Sequence, residues 1–287
     1  MKIIYLMLAA WLIGACNGGV PTPTAPVGAT ATPTALRPVA VIAHRGGAAL
    51  APENTLGAFR KAIALGVDVI EMDTHLSKDG AVVVIHDPTL ERTSDGSGRV
   101  ADWTLAQLQE LNAAAKFGDG KYERQPVPAF GQALDLVQSA RLRVEVEIKV
   151  PPQGRYPGIE QKLVKEITDR SLIDRVQVSS FDFAVLADVK RVNSKARTVA
   201  LMSYEFFRRA PVDFPAQAID EARNSGAEVI AVNKDLLTRA LVDEAHARGM
   251  QVEVWTVDSE TDMKKFVQMG VDGIISNKPD VLKTLTR

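Results

Sequence analysis

One cysteine in 287 residues, Cys16, leaves no partner for an internal disulfide. Net charge is almost absent too: 34 Lys and Arg stand against 35 Asp and Glu, a balance of −1. That excludes the basic footprint of a nucleic-acid binder and an electrostatic hold on an anionic membrane. The longest apolar run, residues 3–13, is too short to cross a bilayer, and no repeat of 20–50 residues recurs. What remains is ordinary for a globular protein, 46% hydrophobic and 24% charged. The length suits one large α/β domain better than two small ones.

The N-terminus reads as an address rather than as fold. Lys2 precedes the apolar run, which ends in Leu12-Ile13-Gly14-Ala15-Cys16. This resembles a bacterial lipobox, a branched apolar residue and two small ones before Cys. Residues 1–15 are therefore expected to be a lipoprotein signal peptide, with Cys16 lipid-modified as the mature N-terminus. The protein would be extracytoplasmic and anchored to a membrane rather than spanning it; a plain secretory signal is the alternative. Residues 16–38 follow as a Pro/Thr-rich tether without periodic apolar positions, extended and unable to build a core.

From residue 39 to 287, β-branched runs alternate with amphipathic helical patterns. Strands are expected at 39–44, 69–75, 82–86, 143–149, 176–181, 197–202, 229–233, 251–257 and 272–276. Helices fill most gaps. Asn54 is read as the cap of 55–65, and others fall at 130–140, 159–170, 182–193, 216–225, 238–248 and 259–269, with Gly66, Gly226, Gly249 and Gly270 as stop signals. Repeated strand–helix–strand units predict a parallel sheet, here a closed (β/α)8 TIM barrel. Nine strands are one too many. Asp73 and Val82 are too close for a parallel crossover, and Lys78-Asp79-Gly80 is a turn signal. Residues 69–86 thus read as a hairpin at the barrel mouth that returns His86 to the level of Asp73. The irregular stretch 88–130 reads as a small insertion over or beside the mouth.

His44 and His86 each close an apolar strand pattern, where such folds place their active-site groups. Glu71 and Asp73, two apart, share one strand face. Together these four suggest acid/base chemistry beside a hard metal ion. In residues 143–150, Val and Ile alternate with Arg143, Glu145, Glu147 and Lys149. Outer helices need the apolar face, so the charges must line the lumen, where they need partners.

In chain order, His44-Arg45-Gly46, Glu53-Asn54-Thr55, Glu71-x-Asp73, Lys78-Asp79-Gly80, His86-Asp87, Glu147-Ile148-Lys149, Ser180-Phe181, Trp255-Thr256-Val257 and Gly270-Val271-Asp272-Gly273-Ile274 resemble the glycerophosphodiester phosphodiesterase family over about residues 40–283. The resemblance implies hydrolysis of glycerophosphodiesters to glycerol 3-phosphate and an alcohol, with a divalent cation. Glu71, Asp73 and Glu147 would hold the metal, and all-oxygen ligands suit Ca2+ or Mg2+. His44 and His86 would be the general acid and base. Arg45 and Lys149 would hold phosphate oxygens, and the charges then balance to zero with both histidines neutral. Glu53 would meet glycerol hydroxyls or support the metal ligands, Phe181 and Trp255 would wall the glycerol, and Asp87 would orient His86 or begin a turn. Glu145, one layer deeper, and His75 are weaker candidates, and His246 reads as a surface residue. Ser276-Asn277 and Asp258 depart from the usual Thr-Asp and Asn; both changes are expected to bear on substrate detail rather than on chemistry. Two rivals remain: a lysophospholipase-D-like enzyme, favoured by an apolar groove from the 88–130 insertion to the mouth, and a non-catalytic phosphodiester-binding lipoprotein. The expected partners are a small glycerophosphodiester and, through the lipid anchor, a membrane.

Overall fold

The computed structural model describes residues 38–120, 122–209 and 215–286. The signal peptide, Cys16 and all of the tether except Pro38 lie outside them. Nine strands form one sheet: β1 (Ala40–Ala43), β2 (Val69–Leu76), β3 (Val82–Val84), β4 (Arg143–Ile148), β5 (Val176–Ser180), β6 (Arg197–Met202), β7 (Val229–Asn233), β8 (Gln251–Trp255) and β9 (Gly273–Ser276). Eight of them close a parallel barrel, because β1 pairs with both β9 and β2. The ninth, β3, is antiparallel to β2 through Thr74↔Val84 and Leu76↔Val82. It occupies the side of β2 that β1 has left after Ala43↔Ile70, so the hairpin rises above the rim as expected.

Helices cross between the strands as the patterns predict. They include α1 (Leu56–Leu65), α2 (Leu105–Gln109), α3 (Phe130–Ala140), α4 (Ile159–Asp169), α5 (Phe183–Val192), α6 (Tyr204–Arg209), α7 (Pro215–Asn224), α8 (Arg239–Ala247), α9 (Glu260–Met269) and α10 (Pro279–Leu285). The short α6 carries no periodic signal long enough to read, and the sequence gives no warning of it. One cap is corrected. Thr55, not Asn54, is the N-cap of α1: its side chain accepts from the Ala58 N–H. Asn54 instead sits at φ 58°, a left-handed conformation that asparagine tolerates, and its amide turns into the barrel.

Three apolar cores follow from the strand period. The largest fills the space between sheet and helices, with Phe59, Ile70, Phe130, Leu163 and Phe266 at its centre. The opposite strand faces send Ile42, Val69, Val199, Leu201, Val229, Ala231 and Ile275 into the lumen, where they plug the barrel. The 88–130 segment packs its own core of Leu90, Val100, Leu108, Ala113 and Val127 against Val83 and Ile85 of the hairpin. This gives the insertion a fixed seat beside the mouth.

Candidate active site

The acidic centre comes from register. β2 and β4 pair in parallel with Glu71↔Glu145 and Asp73↔Glu147 opposite one another. Glu71, Asp73 and Glu147 therefore converge, and ligand atoms from all three lie within 4.8 Å of one another. All three side chains are buried. Burial, then the charge of Asp73, pushes Glu71 well above the usual carboxylate range. Glu147 is pushed up to about 7, mainly by burial. Burial alone would raise Asp73, but the adjoining Lys149 and Arg45 outweigh it and hold its carboxyl low. Three buried carboxylates with hard oxygens and no apolar wall between them suit a divalent cation of the Mg2+ or Ca2+ type.

Two cations flank this centre. Lys149 Nζ lies 3.2 Å from Asp73 Oδ1 and 2.9 Å from Glu147 Oε1. Arg45 Nε lies 3.3 Å from Asp73 Oδ2, and its main-chain N–H donates to Glu71 Oε2 at 2.8 Å. Arg45 itself sits at φ 51° just past β1, in a tight His44–Gly46 turn that aims its guanidinium across the mouth. Asn54 completes the frame: its Nδ2 donates to Asp73 Oδ2 at 2.7 Å, and its Oδ1 accepts from the Asp73 N–H at 3.2 Å.

The histidines stand in unlike settings. Asn277 Nδ2 donates to Asp258 Oδ2 at 2.7 Å, so Asn277 Oδ1 must accept from His44 Nδ1–H, also at 2.7 Å. This leaves His44 Nε2 as the unprotonated nitrogen. Burial, then the charge of Arg45, lowers His44 to about 4. His86 Nδ1 instead donates to a carboxylate, Asp87 Oδ1, at 2.5 Å. Burial pulls His86 below its ordinary value, while Asp73 and Asp87 pull it back up. Asn277 and Asp258 are thus not remote departures from a family pattern; they set the state of His44, which corrects the expectation that they touch substrate detail alone.

Glu53 stands behind Arg45, which in turn contacts Asp73 and Glu71. Its Oε1 accepts from Arg45 Nη1 at 2.9 Å, and both its oxygens accept from Arg92, at 2.8 and 2.6 Å. Arg92 also donates through Nε to Asp87 Oδ2 at 2.5 Å. Arg92 escapes sequence reasoning, and the bonds that Asn54, Asn277 and Asp258 make here are not legible either, because each lies in a loop, turn or element junction without periodicity. His75 is occupied structurally, between Tyr156 Oη at 2.8 Å and the His86 carbonyl at 2.9 Å. His246 pairs with Asp272 at 2.8 Å, far from the mouth on α8. Glu145 lies one layer down, bridged to Glu253 by Gln177. Phe181 and Trp255 meet edge to face, 5.4 Å apart at 83°, at the rim. A pocket of about 100 Å³ opens between these groups, lined by His44, Arg45, Glu71, His86, Lys149 and Trp255 among others.

Comparison with known proteins adds a pedigree to this geometry. The model of the glycerophosphoryl diester phosphodiesterase family matches residues 44–281. A glycerophosphodiester phosphodiesterase of Caldanaerobacter subterraneus is 37% identical over 249 residues, 86% of this chain and 97% of that protein. One from Bacillus altitudinis is 33% identical over 247 residues, 84% of this chain and 95% of that protein. Among solved structures, an Oleispira antarctica phosphodiesterase in complex with the product sn-glycerol-3-phosphate superimposes with a TM-score of 0.75 at 24% identity, covering 85% of this chain and 94% of that one.

Proposed function

Since the chain belongs to the glycerophosphoryl diester phosphodiesterase family, we propose that it hydrolyses glycerophosphodiesters to glycerol 3-phosphate and an alcohol by divalent-cation and two-histidine catalysis. The chain is a phosphoric diester hydrolase by that membership; the finer chemistry is read from the site. One observation carries it: two histidines with opposite partners, an amide and a carboxylate, flank one buried carboxylate triad.

Glu71, Asp73 and Glu147 would hold Ca2+ or Mg2+, which when bound offsets their charge and polarises a non-bridging phosphate oxygen. The rest is the work of the chain. Lys149 and Arg45 face the pocket and stabilise charge on the phosphate. His44, neutral and with Nε2 free, takes a proton. His86, as the imidazolium whose Nδ1–H is paired with Asp87, gives its Nε2 proton to the departing alkoxide. The glycerol 2-hydroxyl lies beside the ester phosphorus, and an intramolecular nucleophile has a large advantage in effective concentration. Its oxygen therefore attacks phosphorus as His44 removes its proton and the bond to the alcohol breaks. The resulting cyclic 1,2-phosphate is opened by water, with His86 now the base and His44 the acid.

EDTA should abolish release of glycerol 3-phosphate from glycerophosphocholine, and Ca2+ or Mg2+ should restore it. His44→Ala and His86→Ala should each lower kcat by roughly 10²–10⁴-fold, with KM changed far less. Full turnover by metal-free enzyme would overturn the metal reading. A 2-deoxy glycerophosphodiester, unable to cyclise, should bind but turn over far more slowly; equal rates would establish direct water attack instead. The biological setting we propose is extracytoplasmic scavenging of phospholipid-derived headgroup esters by a lipoprotein anchored at Cys16. The Leu12-Ile13-Gly14-Ala15-Cys16 motif supports that setting.

A further inference from the structure

The mouth carries a second hollow beside the carboxylate pocket. It measures about 290 Å³, against about 100 Å³ for the pocket that reaches into the lumen. Both are lined by His86, Glu147, Lys149 and Phe181, so they open on two sides of the same charged junction. Their other walls differ in kind. The lumen pocket adds His44, Glu71, Glu145 and Ser179, all able to hydrogen-bond a hydroxyl. The outer crevice adds Pro88, Ile148, Val150, Pro151 and Pro152.

Two features mark the crevice as apolar by construction. Val150 and Phe181, at 40% and 42% exposure, are two of the four large hydrophobic side chains left exposed among the described residues. Scattered exposed apolar residues need no explanation, but their convergence on a concave surface marks a binding site. The crevice's polar groups are also turned to other uses. His75 is held by Tyr156 and the His86 carbonyl, and Ser180 Oγ donates to the Ile148 carbonyl at 3.0 Å. Lys149 is engaged by Asp73 and Glu147.

A phosphodiester has two ester arms, and phosphorus at the junction sends one into each hollow. The smaller lumen pocket, although Leu201, Trp255 and Ile275 share its wall, offers the hydroxyls of glycerol more polar partners than the crevice does. Only the lumen pocket is lined by His44, whereas His86 lines both, so the proton donor also borders the crevice. We propose that the crevice walled by Val150, Pro151, Pro152 and Phe181 is the leaving-alcohol subsite and favours alcohols that carry an alkyl or aryl group over the small charged headgroup alcohols, which the site still turns over more slowly. This rests on the hydrolase reading above and adds the substrate class to it. It places the apolar arm on the alcohol, in contrast to a lysolipid, whose chain is carried by the glycerol.

The test is a series of n-alkyl esters of glycerol 3-phosphate, methyl to decyl, assayed with Mg2+ or Ca2+. Their leaving alcohols have similar basicity, so differences report on binding. kcat/KM should climb about three- to fourfold per methylene. It should level off near octyl, since the crevice holds roughly ten water-sized units. Val150→Ser and Val150→Asp should lower the octyl-to-methyl ratio, the second by about tenfold or more. A flat series with the methyl ester well hydrolysed would overturn the subsite while leaving the hydrolase reading intact. No turnover of any ester would overturn the hydrolase reading itself. If octyl placed as an ether on the glycerol 1-oxygen gave the same climb, and Val150→Asp removed it, the crevice would serve the glycerol arm and the proposal would fall.

Discussion

Arg92 spans the mouth with a single guanidinium. It grips Asp87 behind His86 and Glu53 behind Arg45. Its side chain is 46% exposed, so the separate ion pairs contribute little to stability. What a planar fork supplies is direction: it fixes the carboxylate that orients His86. Arg92→Ala is therefore expected to lower kcat about 10- to 100-fold on alkyl esters, whose alkoxides need a proton. The loss should nearly vanish on the p-nitrophenyl ester of glycerol 3-phosphate, whose leaving group departs as an anion. Arg92→Lys should recover only part of it. Equal losses on both substrates in steady-state assays would show that Arg92 serves the fold alone. Residues of this kind are illegible in a sequence. Glu71, Asp73 and Glu147 can be read because a strand's period of two and a lumen's need for partners constrain them. Arg92 and Asn54 sit in irregular chain, where nothing but the folded contact reveals the job. Glu53 is visible in the sequence, yet its arginine partners are not, since only the folded contact brings Arg92 and Arg45 to it.

One layer below the metal-type triad, β4, β5 and β8 contribute Glu145, Gln177 and Glu253. Gln177 Nε2 donates to Glu145 Oε2 at 2.8 Å and to Glu253 Oε1 at 3.0 Å. The remaining oxygens, Glu145 Oε1 and Glu253 Oε2, are buried without any other donor. Burial, then the proximity of Glu253, pushes Glu145 well above the usual range, and burial raises Glu253 as well. The folded layer thus holds a proton to higher pH than the unfolded chain does. Its stabilising share is complete below the ordinary carboxylate range and is lost as pH rises towards the folded values. Glu253→Gln supplies a permanent donor in place of that proton. Tm measured from pH 5 to 9 should fall with pH in the parent protein and fall less in Glu253→Gln; parallel curves would mean that the pair does not titrate there. At this scale the sequence was informative. Strand–helix alternation, the eight residues between Asp73 and Val82 and the alternating charges of β4 predicted the barrel, hairpin and lumen face. It could not show which lumen carboxylates pair with one another, since that depends on register between strands far apart in the chain.

For the molecule as a whole, membrane contact rests on the N-terminus in our proposal. Among the described residues no helix is long and apolar enough to cross a membrane. Cys16→Ser should shift the protein from the membrane fraction to soluble protein or unprocessed precursor. A chain beginning at Val39 should fold and hydrolyse soluble diesters, because β1 and everything its barrel needs follow that point. Cys16→Ser protein that stayed membrane-bound after normal cleavage would rule out the lipid anchor. Closure of the barrel has a different consequence, written into the distance between two residues. The bond that fixes His44 comes from Asn277, 233 positions later and just beyond β9. A ribosome releases the carboxylates, the cations and both imidazoles long before it reaches that amide. Any product that stops short of Asn277 carries all of those groups but lacks the neighbour that sets His44's tautomer. Competence to take the proton is thereby tied to closing the seam between the first and last strands, which no chain that stops before Asn277 can do.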